Sequence, residues 1–353
     1  MSKITNFKLS HITAELKKPF VTNLRRVDAI EDVCLTLIAD DGTVGYGEAP
    51  PTVAITGEDI ETIERRISEL IFPAIRGIEL TSGAEIFEAL HASVQKNTSA
   101  KACVDMAIYD ILSKKANKPL YEYLGGKAKT IKTNLTISLN DVDTMLRDSI
   151  QAWEDGFGIL KIKVGTDERD TIEAIKNIRS ALPKAILRVD ANQAWDEKTA
   201  LKIIDTIACY DIELVEQPVK AHEFDALKNI TAHSSIPILA DESVFSYEDA
   251  VRILENRAAD YINIKLMKTG GIYEALKIVE LAKKHGAKVM MGSMLESVIS
   301  ISAGVHFAFV DDIVQFYDLD GVHLAKPSPI KNSLRFEKDK ISLYPSVGLG
   351  VEL

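Results

Sequence analysis

An eight-stranded parallel β/α barrel beneath an α+β cap is the architecture this sequence predicts, and three observations predict it. From residue 130 onward, short apolar runs recur about every 26 residues, and most of them end on a charged side chain. Each gap between runs holds a turn signal and a stretch with helical periodicity, so the repeating unit is βα. Eight parallel strands separated by helices close into a barrel whose chemistry gathers at the strands' C-terminal ends.

The runs are Asn134–Ser138, Ile159–Val164, Ile186–Asp190, Ile212–Glu216, Ile238–Asp241, Tyr261–Lys265, Lys288–Met291 and Val314–Asp318. Their first-to-first steps are 25, 27, 26, 26, 23, 27 and 26 residues. Lysines end the second and sixth runs or lie within them, and carboxylates end the third, fourth, fifth and eighth.

The preceding residues read differently. Phe7–Glu15 and Glu31–Ile38 are expected strands, and Val44–Glu48 follows the Asp41-Gly42 hairpin turn. Helices are expected over Glu58–Phe72, capped by Thr56, over Ser82–Gln95, beginning at Ser82, and over Ser99–Ala116. The last stops before Asn117-Lys118-Pro119, and Tyr123-Leu124-Gly125-Gly126 leads into the barrel. Strands followed by helices make an α+β unit sized to cover the barrel mouth. Ser333–Glu337 and Ile341–Tyr344 read as short strands returning the chain to this cap. The expected division is a cap over 1–126, completed by 330–353, and a barrel over 127–329.

With 46% hydrophobic and 27% charged residues among 353, the chain has an ordinary globular composition. A net charge of −10 argues against nucleic acid or an anionic membrane surface as partner. The opening MSKITNFKLSHIT lacks an apolar core, so no signal peptide is expected. Val289–Val310 is apolar but carries Glu296 and His306, and reads as strand, loop and buried helix rather than a membrane span. The cysteines, Cys34, Cys103 and Cys209, are odd in number and widely spaced. That excludes a disulfide framework or a CxxC zinc site and points to a reducing cytoplasm.

Asp190, Glu216 and Asp241 end three consecutive strands and so sit side by side on one rim. A single carboxylate there is by default a helix cap. Three together repel strongly unless a cation neutralises them. All-oxygen ligation without nearby Cys or His points to a hard ion, Mg²⁺ or Mn²⁺. Lys161 and Lys163, two apart on one strand, share a face. Their mutual repulsion and a nearby cation would lower their pKa values from ~10.4 toward neutrality, as a general base requires. Lys265 approaches the same centre from beyond the carboxylate strands, whereas Lys268 reads as a rim charge. A Schiff-base lysine would not need the carboxylate triad.

Taken together, LKIKVG, RVDANQAW, VEQPV, ADESVF and NIKLMKTGGI, with GYGEAPP and YEYLGGK, resemble the enolase superfamily in its muconate-lactonizing-enzyme subgroup. That superfamily uses a Lys or His base with Mg²⁺. The resemblance implies a modified (β/α)8 barrel, (β/α)7β, under an α+β cap. It also implies that Lys163 and Lys265 form an acid/base pair, that Lys161 holds the enolised carboxylate, and that Asp190, Glu216 and Asp241 bind one Mg²⁺ per subunit. Asp318-Leu319-Asp320 is similar to the Asp-x-Asp motif with which dipeptide epimerases hold the substrate α-ammonium. GSMLES at Gly292–Ser297 is similar to the loop that meets the peptide bond in those enzymes. Ser293, Met294 and Thr136 join the implied substrate contacts.

Between the first two strands, FVTNLRRVD reads as a polar, mobile segment reaching over the barrel. Arg25 matches an arginine that pairs with a substrate side-chain carboxylate, and Arg26 beside it competes for that role. The implied reaction is epimerisation of a dipeptide at its C-terminal residue, L-Ala-D/L-Glu being favoured, by a homo-oligomeric enzyme. N-acylamino-acid racemisation, and lyase or cycloisomerase chemistry such as o-succinylbenzoate synthesis or muconate cycloisomerisation, are alternatives on the same scaffold. A catalytically silent binding protein is opposed by the intact lysine pair. Glu242 and Glu296 are left without a role. Gly42, Gly45 and Gly47 lie in a hairpin and form no dinucleotide fingerprint. Thr269-Gly270-Gly271 reads as a tight barrel loop, and His285, His306, Trp153 and Trp195 read as helix or packing residues.

Overall fold

The structure is a computed structural model that describes all residues except 1 and 82. The chain opens with an antiparallel sheet of β1 (Ile4–Val21), β2 (Arg26–Ala39) and β3 (Val44–Ala49). The short helices α1 (Val53–Thr56), α2 (Ile60–Arg66), α3 (Phe72–Ile75) and α4 (Glu85–Ala92) follow. The cap is centred on α5 (Thr98–Lys115), almost wholly buried, and ends with α6 (Leu120–Tyr123). The expected helix over Glu58–Phe72 instead starts at Asp59, whose carboxylate accepts from Thr62 N, and passes through a π-turn at Ile67–Ile71. Thr56 caps nothing there, because Gly57 closes α1 in the left-handed region. The expected start at Ser82 lies outside the described residues; the described helix there begins at Glu85.

After β4 (Ile131–Lys132) come the barrel strands: β5 (Leu135–Ile137), β6 (Ile159–Lys163), β7 (Ile186–Asp190) and β8 (Ile212–Glu216). They continue as β9 (Ile238–Ala240), β10 (Tyr261–Lys265), β11 (Lys288–Gly292) and β12 (Val314–Asp318). These eight pair in sequence order, all parallel, and Asn134 N donating to Tyr317 O at 3.1 Å draws the two ends together. The intervening helices are α7 (Val142–Glu154), α8 (Glu168–Ala181), α9 (Glu197–Ile207), α10 (Phe224–His233) and α11 (Tyr247–Glu255). Then come the single turn α12 (Leu266–Thr269), α13 (Ile272–His285) and α14 (Val298–Ala308). Only the four-residue α15 (Gly321–Leu324) follows β12, so the eighth βα unit is truncated and the barrel is (β/α)7β.

Local sequence explains why each unit folds. Asp141, Asp167 and Asp196 accept from the third backbone N–H of α7, α8 and α9, and Ser246 with Asp249 closes a capping box on α11. Leu214, Leu239, Met290 and Phe316 fill the barrel interior beneath the rim. That apolar layer raises the polar side chains above it to the mouth.

The strands β14 (Leu334–Glu337) and β15 (Lys340–Leu343) differ from expectation. They pair with each other and with β4, which enters the barrel from its N-terminal side, so they close the barrel floor rather than rejoin the cap. The chain returns to the cap just before β16 (Val351–Glu352), which pairs with β13 (Lys331–Asn332), where Leu349 N donates to Asp110 of α5 at 2.8 Å.

Candidate active site

Strand register assembles the site. Lys163 lies opposite Asp190 and Asp190 opposite Glu216, while Lys265 lies opposite Gly292 and Gly292 opposite Asp318. Asp241 follows directly after β9. All of these stand at C-terminal strand ends and all the charged ones are buried. Gly292 has no room for a side chain, since a Cβ would sit 2.6 Å from Asn263 Oδ1 and 3.1 Å from Lys265 Cε.

Lys161 stands at the centre. Its Nζ is 2.9 Å from Asp190, 2.8 Å from Glu216 and 2.7 Å from Asp318. Lys163 reaches Asp190 at 2.5 Å from one side, and Lys265 reaches Asp241 at 2.7 Å from the other. Burial opposes the charges of Lys161 and Lys265, but the surrounding carboxylates outweigh it and hold both above the ordinary lysine range.

The carboxylates respond unequally. Burial and the neighbouring Asp190 push Glu216 up to about 7. Asp190 and Asp241 are buried too, yet their lysine partners hold them below the usual range. Among the described residues, no three acidic, histidine or cysteine side chains already converge as cation ligands, and the Lys161 ammonium lies between Asp190 and Glu216. The donor set nonetheless fits a hard cation. Buried Glu216 Oε2, Asp241 Oδ1, Asn192 Oδ1 and Glu242 Oε2 accept no directed hydrogen bond, although ammonium groups lie 2.8 Å and 2.6 Å from the first two. Unsatisfied, mutually repelling oxygens are what a divalent ion relieves.

Lys268 is not a rim charge. It is fully buried, donates to Val244 O at 3.0 Å and Asn263 O at 2.9 Å, and lies 2.6 Å from Asp241 Oδ1. It braces the loop that carries Asp241. On β12 and just beyond, Asp318 and Asp320 both line the pocket but are not equally free. Asp318 accepts from Lys161 and, at 2.7 Å, from Asn134 Nδ2, whereas Asp320 accepts at 2.6 Å from Thr136 N. Burial and the charge on Asp318 push Asp320 up to about 6.

Ser293 and Met294 line the same pocket, and Ser293 N is tied to Asp318 O at 3.1 Å. Glu296 acquires a role in local structure: it accepts from Met294 N at 2.6 Å and from the Ser300 hydroxyl. The segment expected to be mobile, Phe20–Asp28, is a hairpin, with Phe20 opposite Val27 and Val21 opposite Arg26. Its tip turns Arg25 into the pocket, while Arg26 points out and pairs with Asp28 at 2.9 Å. Of the two arginines, only Arg25 lines this pocket.

Asn192, Glu242 and Ile55, to which the sequence assigned no role, also line the pocket, as does Phe20 at the start of the hairpin tip. Asn192 carried one signal, standing two residues past a carboxylate strand end. Its φ of 42°, with 39° at Gln217 after Glu216, marks left-handed backbone held beside the rim.

Comparison with known proteins follows the same lines. Residues 4–125 match the mandelate racemase / muconate lactonizing enzyme N-terminal domain, and residues 145–353 match the enolase C-terminal domain-like family. An L-Ala-D/L-Glu epimerase of Clostridium acetobutylicum is 42% identical over 99% of this chain and 98% of its own. The substrate-liganded L-Ala-D/L-Glu epimerase of Bacillus subtilis superposes with a TM-score of 0.97 at 39% identity, covering 99% of this chain and 98% of that one. The dipeptide epimerase of Enterococcus faecalis V583, complexed with Mg and L-Leu-L-Tyr, superposes with a TM-score of 0.96 at 36% identity, covering 99% and 100%. An α+β cap over a (β/α)7β barrel, a carboxylate rim flanked by lysines and these full-length matches make the chain a member of the mandelate racemase / muconate lactonizing enzyme family of the enolase superfamily.

Proposed function

We propose that this chain is a divalent-metal-dependent dipeptide epimerase that inverts the α-carbon of its substrate's C-terminal residue, with L-Ala-D/L-Glu as the favoured dipeptide. The observation that carries the reading is the placement of two buried lysines, Lys163 on β6 and Lys265 on β10, on either side of the carboxylate strands β7 to β9. The names of the Clostridium and Bacillus relatives support the substrate.

Lys163 and Lys265 serve opposite faces of the α-carbon. One lysine, neutral, takes the α-proton; the C–H electron pair delocalises into the adjacent carboxylate; the other lysine, as ammonium, returns a proton to the opposite face. One proton leaves and one arrives, so configuration changes and mass does not. Mg²⁺, present in the Enterococcus complex, would be held by Asp190, Glu216 and Asp241 and supplies a Lewis acid against the charge gathering on the substrate carboxylate. Lys161 presents a fixed positive charge to that carboxylate. Asp318 and Asp320 receive the substrate ammonium, and Thr136, Ser293 and Met294 frame the peptide bond. Arg25 pairs with a glutamate side chain. The reading extends to one ion per subunit with Mn²⁺ as a substitute, a reducing cytoplasmic setting and a homo-oligomer. Among the described residues no helix is long and apolar enough to cross a membrane.

The test is turnover of L-Ala-L-Glu followed by chiral chromatography, before and after EDTA treatment. L-Ala-D-Glu should form and chelation should stop it. Better turnover of N-acylated amino acids than of free dipeptides would make the enzyme an N-acylamino-acid racemase and overturn the reading of Asp318 and Asp320.

A further inference from the structure

A cavity of about 930 Å³ lies outside the reaction pocket, where α2, α4 and α5 of the cap meet the loops after β9 and β10. Ile55 is a wall common to both spaces. Lys101 lines the cavity with only 9% of its surface exposed, and its ammonium has no hydrogen-bond or ion-pair partner among the described residues. Arg66 Nε and His91 Nε2, on the same lining, are buried without a hydrogen-bond partner.

Glu274, on the same lining, and Glu58 attract the Lys101 ammonium without forming an ion pair with it. Glu58 accepts from Ser99 N at 2.9 Å and Ala100 N at 3.2 Å. Glu274 is paired with Lys277 at 2.7 Å. Asp105 accepts from Ile272 N at 2.6 Å and Tyr273 N at 3.3 Å, leaving His91 Nε2 4.0 Å away. Burial pushes the His91 imidazole down to about 3, so it is a neutral partner, and burial also lowers the Lys101 ammonium. Buried polar atoms without partners are costly, and the Lys101 ammonium beside Arg66 on one cavity wall is complementary to an anion.

We propose that this seam cavity binds a small molecule bearing oxyanion groups, a phosphate or a polycarboxylate, through Lys101, Arg66 and His91. None of these residues belongs to the reaction pocket, so the site is independent of the epimerase reading and is tested without turnover.

Isothermal titration of the full chain with inorganic phosphate and with citrate, at constant ionic strength in chloride, is the direct experiment. One saturable site is expected. Lys101→Met and Arg66→Gln should each weaken it by about tenfold or more, and Lys101→Arg should retain it. A response to phosphate alone identifies phosphate as the group recognised, and a response to citrate alone identifies carboxylate. Should Lys101→Met fail to fold, Arg66→Gln carries the test. No saturable heat with either anion, or affinity unchanged in the folded variants, overturns the proposal.

Discussion

Lys163 and Lys265 differ in surroundings although their proposed tasks mirror each other. Lys163 shares Asp190 with Lys161, whereas Lys265 shares Asp241 with Lys268. If each serves one face, Lys163→Ala and Lys265→Ala should each lower epimerisation by about 10²–10⁴-fold. Each variant should still exchange solvent deuterium into only one diastereomer, which NMR in D₂O reads directly. Near-normal turnover in either variant would contradict the two-base scheme. Arg25→Ala should raise the barrier for Ala-Glu, read from kcat/KM, by about 2–5 kcal/mol, because a carboxylate loses its partner in a half-buried site. Ala-Leu should be nearly unaffected, and an equal loss on both would remove Arg25 from specificity. Most of these residues were legible because strand ends are legible, and a charged residue ending an apolar run stands out. Lys268 was not. Its partners are backbone carbonyls of Val244 and Asn263 brought together only by the closed barrel, and nothing in local sequence separates such a lysine from a solvated one.

Among the elements, the barrel strands read most clearly because each is short, apolar and separated from the next by a helix, four of which carry their own N-terminal side-chain cap and an amphipathic face. The cap elements read less well, since their register depends on distant partners. The hairpin β1–β2 is one case: Phe20 to Arg26 carries polar residues suited to a loop, yet long-range pairing continues the strands to a four-residue tip. The floor strands β14 and β15 are another, because their partner Ile131–Lys132 lies some two hundred residues earlier. Strand β3 shows what such packing demands of sequence. A Cβ on Gly47 would lie 1.9 Å from Cys103 O, and one on Gly45 would lie 2.0 Å from Ala107 O, so α5 rests directly on the backbone of β3. Gly47→Ala should therefore destabilise the protein by about 1–3 kcal/mol or more, measured as a lowered denaturation midpoint. An unchanged midpoint would show that α5 does not make this contact.

Across the whole molecule, cap and barrel are tied by carboxylates of one unit set on helix ends of the other. Glu48 of β3 accepts from Ser297 N at 2.6 Å and Ser300 N at 2.8 Å at the start of α14, and Asp105 of α5 accepts from the start of α13. These contacts tie the cap's main body to the barrel, and the hairpin tip and the α1 turn are the parts of the cap that line the pocket. The central claim is that this assembly exchanges one α-proton between two faces and does nothing else to its substrate. It is tested most directly by mass spectrometry and chiral analysis of L-Ala-L-Glu turned over in D₂O. The account predicts an L-Ala-D-Glu product carrying one solvent deuterium at the glutamate α-carbon and otherwise unchanged. A product that has lost water, gained unsaturation, or inverted without acquiring deuterium would contradict it.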